Sequence, residues 1–287
     1  MKAQQGDALT RRALLAGLLL PGCQGKRQRY HGLVFGQAVS LRMEGPRALA
    51  DEVFAFCRTF EPVFSLWDET SALSRLNREG RLKEAPPALI EVIRRAGELY
   101  QRSDGVFDPS IETLLHWIRQ RRAAGLDLEG EGEVRKQVDF SQVRIHGREL
   151  RLPPGMRLSL NAIVQGWVTD RVCEKFGGRM GKALVNIGEF RVTGGAVFPV
   201  EIEGTGKVIF LRQALAVSSG GKGRLSATGG RNHLVHPREA TSPAVREIFV
   251  VEAREAWLAD GLATVAAVTG TLPEGFEGVK FHHFQNH

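Results

Sequence analysis

The 287-residue sequence predicts an α+β fold, a single compact domain with mixed, largely antiparallel sheets and packed helices. Stretches of helical period and many short alternating stretches intermix without the strict βαβ rhythm of a parallel sheet. Thirty-three glycines and 12 prolines punctuate those stretches, and no internal repeat or low-complexity tract interrupts them. Composition is globular, 43% hydrophobic and 25% charged, with no uninterrupted apolar run of the length a membrane span needs, about 20 residues.

The first element is a targeting segment. In "LTRRALLAGLLLPGCQG" the pair Arg11 and Arg12 precedes a short apolar zone, then Pro21, Gly22 and Cys23. That order reads as a twin-arginine-like export signal over residues 1–22, with a lipoprotein-like box ending before Cys23. The expectation is an exported chain, anchored to the membrane through a lipidated Cys23 on the extracytoplasmic or periplasmic side. Residues 23–30 read as a linker and residues 31–287 as the folded domain. Of the formal net charge of +7, Lys2, Arg11 and Arg12 against Asp7 supply +2, and the remaining basic residues are scattered rather than striped. Nucleic-acid binding is therefore not expected. Cys57 and Cys173 lie on apolar helix faces, as core residues or as a pair formed after export, and no zinc spacing occurs.

Along the domain, "LVFGQAVSLRM" alternates as a strand. From Pro46, Leu49, Val53, Phe56, Cys57 and Phe60 recur at helical spacing. Thr70 or Ser71 can cap a short helix, and Pro86 and Pro87 open another that "SDG" stops. "GRELRLPPGMRLSLN" predicts a hairpin around residues 153–155, leading to a helix through Val164, Val168, Val172 and Phe176 that ends at Gly177 and Gly178. Short strands follow in "ALVNIGEFRVTGG", "FPVEIEG", "VIFLRQALAVSS", "NHLVH" and "EIFVVEA", then the helix "WLADGLATVAAVTG", then "GVKFHHF".

That last helix is apolar except for Asp260 and Thr264, four apart and so on one face. Two readings are open. Asp260 can sit in the first turn, favoured by the helix dipole, with Thr264 bonded back to a carbonyl. Alternatively the carboxylate and hydroxyl together suit Mg²⁺, a hard ion that keeps waters and binds substrate phosphates. A phosphate partner would fit "VSSGGKGR", where Ser219 and Gly220 can offer N–H groups to an anion beside Lys222 or Arg224, although a flexible turn is the other reading. His233 and His236 in "RNHLVHP" are structural strand residues, or one is a base within reach of an attacking hydroxyl.

The segments "SLWDETSALSRLN", "SDGVFDPSI", "LNAIVQGWVTDRV", "ALVNIGEF", "AVSSGG", "HLVHP" and "ADGLATVAAVTG" occur in a colinear order that resembles the ApbE family, the FAD:protein FMN transferases, over nearly all of the mature chain. The resemblance implies an ApbE-like α+β fold, FAD as flavin donor and Mg²⁺ at its pyrophosphate. It places Asp260 and Thr264 on metal-binding positions, with the Ala162 carbonyl as a third ligand. It places Phe35, Trp67, Val106, Phe107, Asp108, Ser159, Gln165 and Val235 on or beside FAD-contacting positions, and His233 on the position of the base. The implied reaction is attack of an acceptor flavoprotein's threonine hydroxyl on the FMN phosphorus, with AMP leaving.

The sequence also departs from the family pattern. Ser159 stands where the family usually has aspartate, Gln165 where it has lysine or glutamate, and His236 where it has aspartate. "FGQ" and "NIGEF" are further departures. These changes remove charged contacts and leave the metal pair intact. Two alternatives follow, a non-catalytic FAD-binding lipoprotein and an FAD pyrophosphatase releasing FMN and AMP.

Overall fold

A computed structural model describes residues 27–220, 232–239 and 241–286. The export signal, Cys23 and the start of the linker lie outside the described residues, as do Lys222 and Arg224.

β1 (Gln28–Val34) begins inside the segment read as linker and pairs with β2 (Gln37–Met43). α1 (Arg47–Arg58) starts after Pro46 and buries Leu49, Val53 and Cys57 at helical spacing. One turn, α2 (Glu61–Phe64), leads to α3 (Ala72–Glu79). The Ser71 hydroxyl caps α3 by accepting the Ser74 N–H, and Gly80 ends it at φ 67°, a left-handed conformation that glycine adopts without penalty. After β3 (Arg81–Leu82), the Pro86–Pro87 pair opens α4 (Pro87–Arg102), which buries Leu89, Ile93, Ala96 and Leu99. Next come α5 (Glu112–Ala123), α6 (Glu131–Arg135), β4 (Arg144–His146), β5 (Glu149–Arg151) and the long α7 (Asn161–Met180). The chain then forms β6 (Leu184–Asn186), β7 (Phe190–Val192), β8 (Phe198–Ile202), β9 (Lys207–Leu211) and β10 (Ala214–Ser219). It finishes with β11 (Glu247–Ala253), α8 (Ala256–Thr269) and β12 (Lys280–Gln285).

A seven-stranded sheet in the order β1-β2-β6-β7-β10-β11-β12 forms the centre, and every pairing in it is antiparallel. The alternation of side chains across a strand divides its apolar residues between two cores. Val185, Ala216, Val251 and Ala253 join α1, α4, α7 and α8 in the larger core. Leu184, Leu215, Ile248 and Val250 point the other way, onto Phe198, Val200, Ile202 and Leu211 of the β8–β9 hairpin. The result is an α+β single domain of three layers, hairpin, sheet and helices, with a small β3-β5-β4 sheet beside α3.

Four local readings are corrected. "LVFGQAVSLRM" is not one strand: Phe35 (φ 51°) and Gly36 (φ 68°) make a two-residue turn, the conformation that matches the twist of a hairpin. The later hairpin turns at Gly147 (φ 60°) between β4 and β5, and Pro153–Gly155 forms a separate turn closed by the Met156 N–H on the Pro153 carbonyl at 3.1 Å. α7 runs through Gly177 and Gly178 to Gly181, because buried Phe176 and Met180 hold its last turn on the core. "NHLVH" is not a strand: beyond a single bridge residue, Asn232, it is irregular, and the Asn232 side chain accepts the Leu234 N–H at 2.8 Å and donates to the Pro243 carbonyl at 3.0 Å.

Cys57 and Cys173 are free thiols at the α1–α7 contact, and burial pushes both up to about 12. Among the described residues, no helix is long and apolar enough to cross a membrane.

Candidate active site

Asp260 is the fifth residue of α8, so it lies in the second turn and outside the first-turn position that the dipole reading assigned. It is 7% exposed, and its Oδ2 accepts the backbone N–H of Gly166 in α7 at 3.1 Å. A charge so buried requires such partners, since leaving it unpaired costs several kcal/mol or more. Gly166 makes this approach possible. A Cβ there would sit 2.3 Å from the Ala256 carbonyl oxygen and 2.7 Å from the Trp257 Cα, so only glycine lets the two helix backbones touch.

A second contact sets the register of the pair. Asp170, one turn beyond Gly166, accepts the N–H groups of Ala256 at 2.8 Å and Trp257 at 2.9 Å. α7 and α8 therefore run antiparallel with Asp170 at Ala256 and Gly166 at Asp260. Continued by one more turn of each helix, this register brings Ala162 opposite Thr264. Ala162 lies one helical turn before Gly166 in α7, on the same face as the N–H that Asp260 accepts.

Thr264 is half-buried, and among the described residues its hydroxyl makes no hydrogen bond. Thr169 and Thr269 instead bond back to carbonyls four residues earlier, each at 2.9 Å. The back-bonded reading of Thr264 is thus set aside. Among the described residues no three His, Cys, Asp or Glu side chains gather as a metal cluster. The available donors, one carboxylate, one hydroxyl and one carbonyl, are all hard oxygens of the kind Mg²⁺ prefers.

Of the other sequence-selected residues, Phe107 meets α8 and Gln165 lies on α7, while Phe35, Trp67 and Val235 make their contacts elsewhere in the fold. Phe107 packs 3.4 Å from the Cβ position of Gly261, next to Asp260, and its N–H donates to the Ser103 hydroxyl at 2.9 Å. Half-buried Val106 precedes it, its N–H on the Ser103 carbonyl at 3.1 Å. Asp108 caps the turn at Pro109–Ile111, accepting the Ser110 N–H at 2.8 Å, the Ser110 hydroxyl at 2.6 Å and the Phe140 N–H at 3.3 Å. Its carboxyl is nevertheless held above the usual range, because burial outweighs those hydrogen bonds. The Ser159 N–H donates to the Pro109 carbonyl at 2.9 Å, joining this turn to the start of α7. Gln165 Nε2 donates to Gln37 Oε1 at 3.0 Å, and Gln165 Oε1 lies 2.4 Å from the Cβ position of Gly188. Gln165 therefore ties α7 to the first hairpin and to the "NIGEF" turn.

Phe35 holds its positive φ with its N–H on Glu61 Oε1 at 2.6 Å. Trp67, a few residues past α2, is 91% exposed and fills no core. Val235 is buried with Leu114, Leu115 and Ile118 of α5, and half-buried His233 stands two residues before it. Ser219 ends β10, and the N–H of Gly220, just past it, donates to the Glu247 carbonyl at 3.4 Å. That donor is engaged in the sheet margin rather than presented to an anion.

His236 Nδ1 accepts the N–H groups of Arg238 at 3.3 Å and Glu239 at 3.2 Å, as an aspartate side chain does in a turn of this kind. Arg238 in turn donates to Asp104 Oδ2 at 3.1 Å, fastening "HLVHP" to "SDGVFDP". A cavity of about 330 Å³ beside this link is lined by Tyr100, Asp108, Arg135, Lys136 and Arg238. Sequence reading passed over Gly166, Asp170 and Arg238, and took Gln37 only as part of the "FGQ" departure. A glycine in the middle of an apolar helix is the one local signal that could have marked the close approach.

The sequence profile described as the ApbE family matches residues 35–283. Among solved structures, the fold is similar to the ApbE protein of Thermotoga maritima, with 21% identity, 85% of this chain and 87% of that chain covered, and a TM-score of 0.74. It is similar to the flavinyl transferase ApbE of Pseudomonas stutzeri in its apo form, with 20% identity, coverage of 84% and 83%, and a TM-score of 0.68. It is also similar to the flavin transferase ApbE of Vibrio cholerae, with 18% identity, coverage of 90% and 97%, and a TM-score of 0.67. No curated protein sequence matches. With the family profile spanning most of its length and the same fold in each of these structures, the chain belongs to the ApbE family.

Proposed function

We propose that this chain is a Mg²⁺-dependent FAD:protein FMN transferase that moves FMN from FAD to a threonine hydroxyl of an acceptor flavoprotein, with release of AMP. The observation that supports the reading is the buried Asp260 carboxylate on the Gly166 N–H of α7, one turn from the Thr264 hydroxyl on α8 and with Ala162 one turn before Gly166. Asp260 supplies the anionic ligand, and Thr264 and Ala162 supply neutral oxygens. Mg²⁺ held there would neutralise charge on the FAD pyrophosphate. His233 takes the proton of the acceptor hydroxyl as its oxygen bonds to the FMN phosphorus, and the bond to AMP breaks. Trp67 offers a ring for stacking, Phe107 meets α8 at Gly261, and Asp108 caps the turn to which Ser159 is joined. We further place the chain outside the cytoplasm, anchored through Cys23, with an acceptor in a membrane or extracytoplasmic electron-transfer system.

The test is mass spectrometry after incubation with FAD, Mg²⁺ and a candidate acceptor. An adduct of FMN mass with AMP release, abolished in Asp260→Ala, is the expected result. AMP release without any acceptor would instead mark a pyrophosphatase, and bound FAD without AMP a flavin-binding lipoprotein.

A further inference from the structure

α8 lacks a cap of its own. Glu255, at its N-cap position, makes no side-chain cap hydrogen bond, so the N–H groups of the first turn need an acceptor from elsewhere. Asp170 of α7 provides it: Oδ1 takes the Ala256 N–H at 2.8 Å and Oδ2 the Trp257 N–H at 2.9 Å. The carboxylate is 1% exposed and is neutralised by Arg191 of β7, whose Nη1 lies 2.5 Å from Oδ1. A buried carboxylate with a helix N-terminus on one side and a guanidinium on the other has both lone-pair and charge requirements met.

We propose that Asp170, held by Arg191, is a positioning residue that sets the register of α8 on α7 and thereby aims Asp260 and Thr264 at the Ala162 carbonyl. The proposal rests on reading these three groups as the metal site. Asp170 lies four residues from Gly166 along α7, and Ala256 lies four residues from Asp260 along α8, so the two contacts are adjacent rungs of one antiparallel ladder. The Gly166 N–H to Asp260 bond and the Gly166–Ala256 backbone contact fix one point of approach. The Asp170 rung adds two bonds and a charge at the start of α8, and any slip there would carry Asp260 and Thr264 together. Arg191 connects the latch to β7, so the ladder is referenced to the sheet as well as to α7.

The experiment uses the mature chain with Mn²⁺ as a paramagnetic probe of the metal site, its affinity read by electron paramagnetic resonance without FAD or acceptor. Asp170→Asn keeps the shape and one acceptor but loses the charge. It is expected to weaken Mn²⁺ binding about tenfold, the size of effect seen when a group that orients a metal ligand is changed. Arg191→Lys, which keeps a cation near Asp170, is expected to retain most of the affinity and serves as the second variant if Asp170→Asn does not fold. Val53→Ala, in α1 and making none of the ladder's hydrogen bonds, removes core packing and should leave Mn²⁺ affinity unchanged. Unaltered affinity in folded Asp170→Asn, or an equal loss in Val53→Ala, would overturn the proposal. If Arg191→Lys is the only folded ladder variant, loss of Mn²⁺ binding on the scale of Asp260→Ala would also overturn it. Failure of the wild-type chain to bind Mn²⁺ would sink the metal reading itself, whereas Mn²⁺ binding without FMN transfer would sink only the proposed reaction.

Discussion

Gly166 and Ala256 meet backbone to backbone, so closely that a methyl group on Gly166 would lie 2.3 Å from the Ala256 carbonyl oxygen. Neither backbone can yield as a flexible side chain would. Gly166→Ala is expected to cost about 3 kcal/mol of stability through overpacking. It should also separate Asp260 from the Gly166 N–H. Calorimetry should show a lower Tm, and transferase activity should fall with it. An unchanged Tm would mean that the helices do not touch here.

His236, expected from the sequence resemblance to stand in place of an aspartate, accepts two turn N–H groups through Nδ1. His236→Asp is therefore expected to keep the turn and most of the activity. His236→Ala, which accepts neither bond, should lose about 1 to 2 kcal/mol. Denaturant unfolding of the two variants checks this, and equal losses would refute the substitution of one acceptor for the other.

Asp108 gives a pH dependence of definite sign. Its folded pKa is raised, chiefly by burial, so in the window above the ordinary aspartate value of 3.8 the folded state binds more protons than the unfolded one. Stability from this group is present at low pH and lost as pH rises through the folded pKa. Asp108→Asn removes the titration. Relative to wild type, the variant's Tm should therefore improve from about pH 4 to about pH 7. A constant difference across that range would contradict the assignment.

Trp67 is 91% exposed, so its removal should change stability by no more than about 0.5 kcal/mol. If the ring stacks on FAD, Trp67→Ala should raise the KM for FAD about fivefold, the loss of roughly 1 kcal/mol of aromatic contact. Titration of FAD into both proteins distinguishes a flavin contact from an idle surface residue.

Much of the architecture was legible locally. Periodic apolar positions marked α1, α4 and α8, and Thr70 or Ser71 marked the start of α3, where the structure selects Ser71, because capping and amphipathicity act within a few residues. The misread places were those where a distant partner decided. Phe35 adopts a positive φ in the first hairpin beside the Glu61 carboxylate, and Asn232 turns its strand-like segment into a loop by bonding to Pro243. Gln165 looked like a lost charged contact. In the fold it is a strut between Gln37 and the Gly188 turn.

The sequence by itself determined the helices, most of the strands, and the placing of Asp260 and Thr264 on one face, since a spacing of four and the helical repeat suffice for that. Only the tertiary structure decided what that face meets. The register of α8 on α7 comes from Gly166, which lets the backbones approach, and from Asp170, which grips the start of α8 nearly ninety residues away in sequence. Such contacts leave no periodic trace in either segment, because each depends on the other helix being already in place.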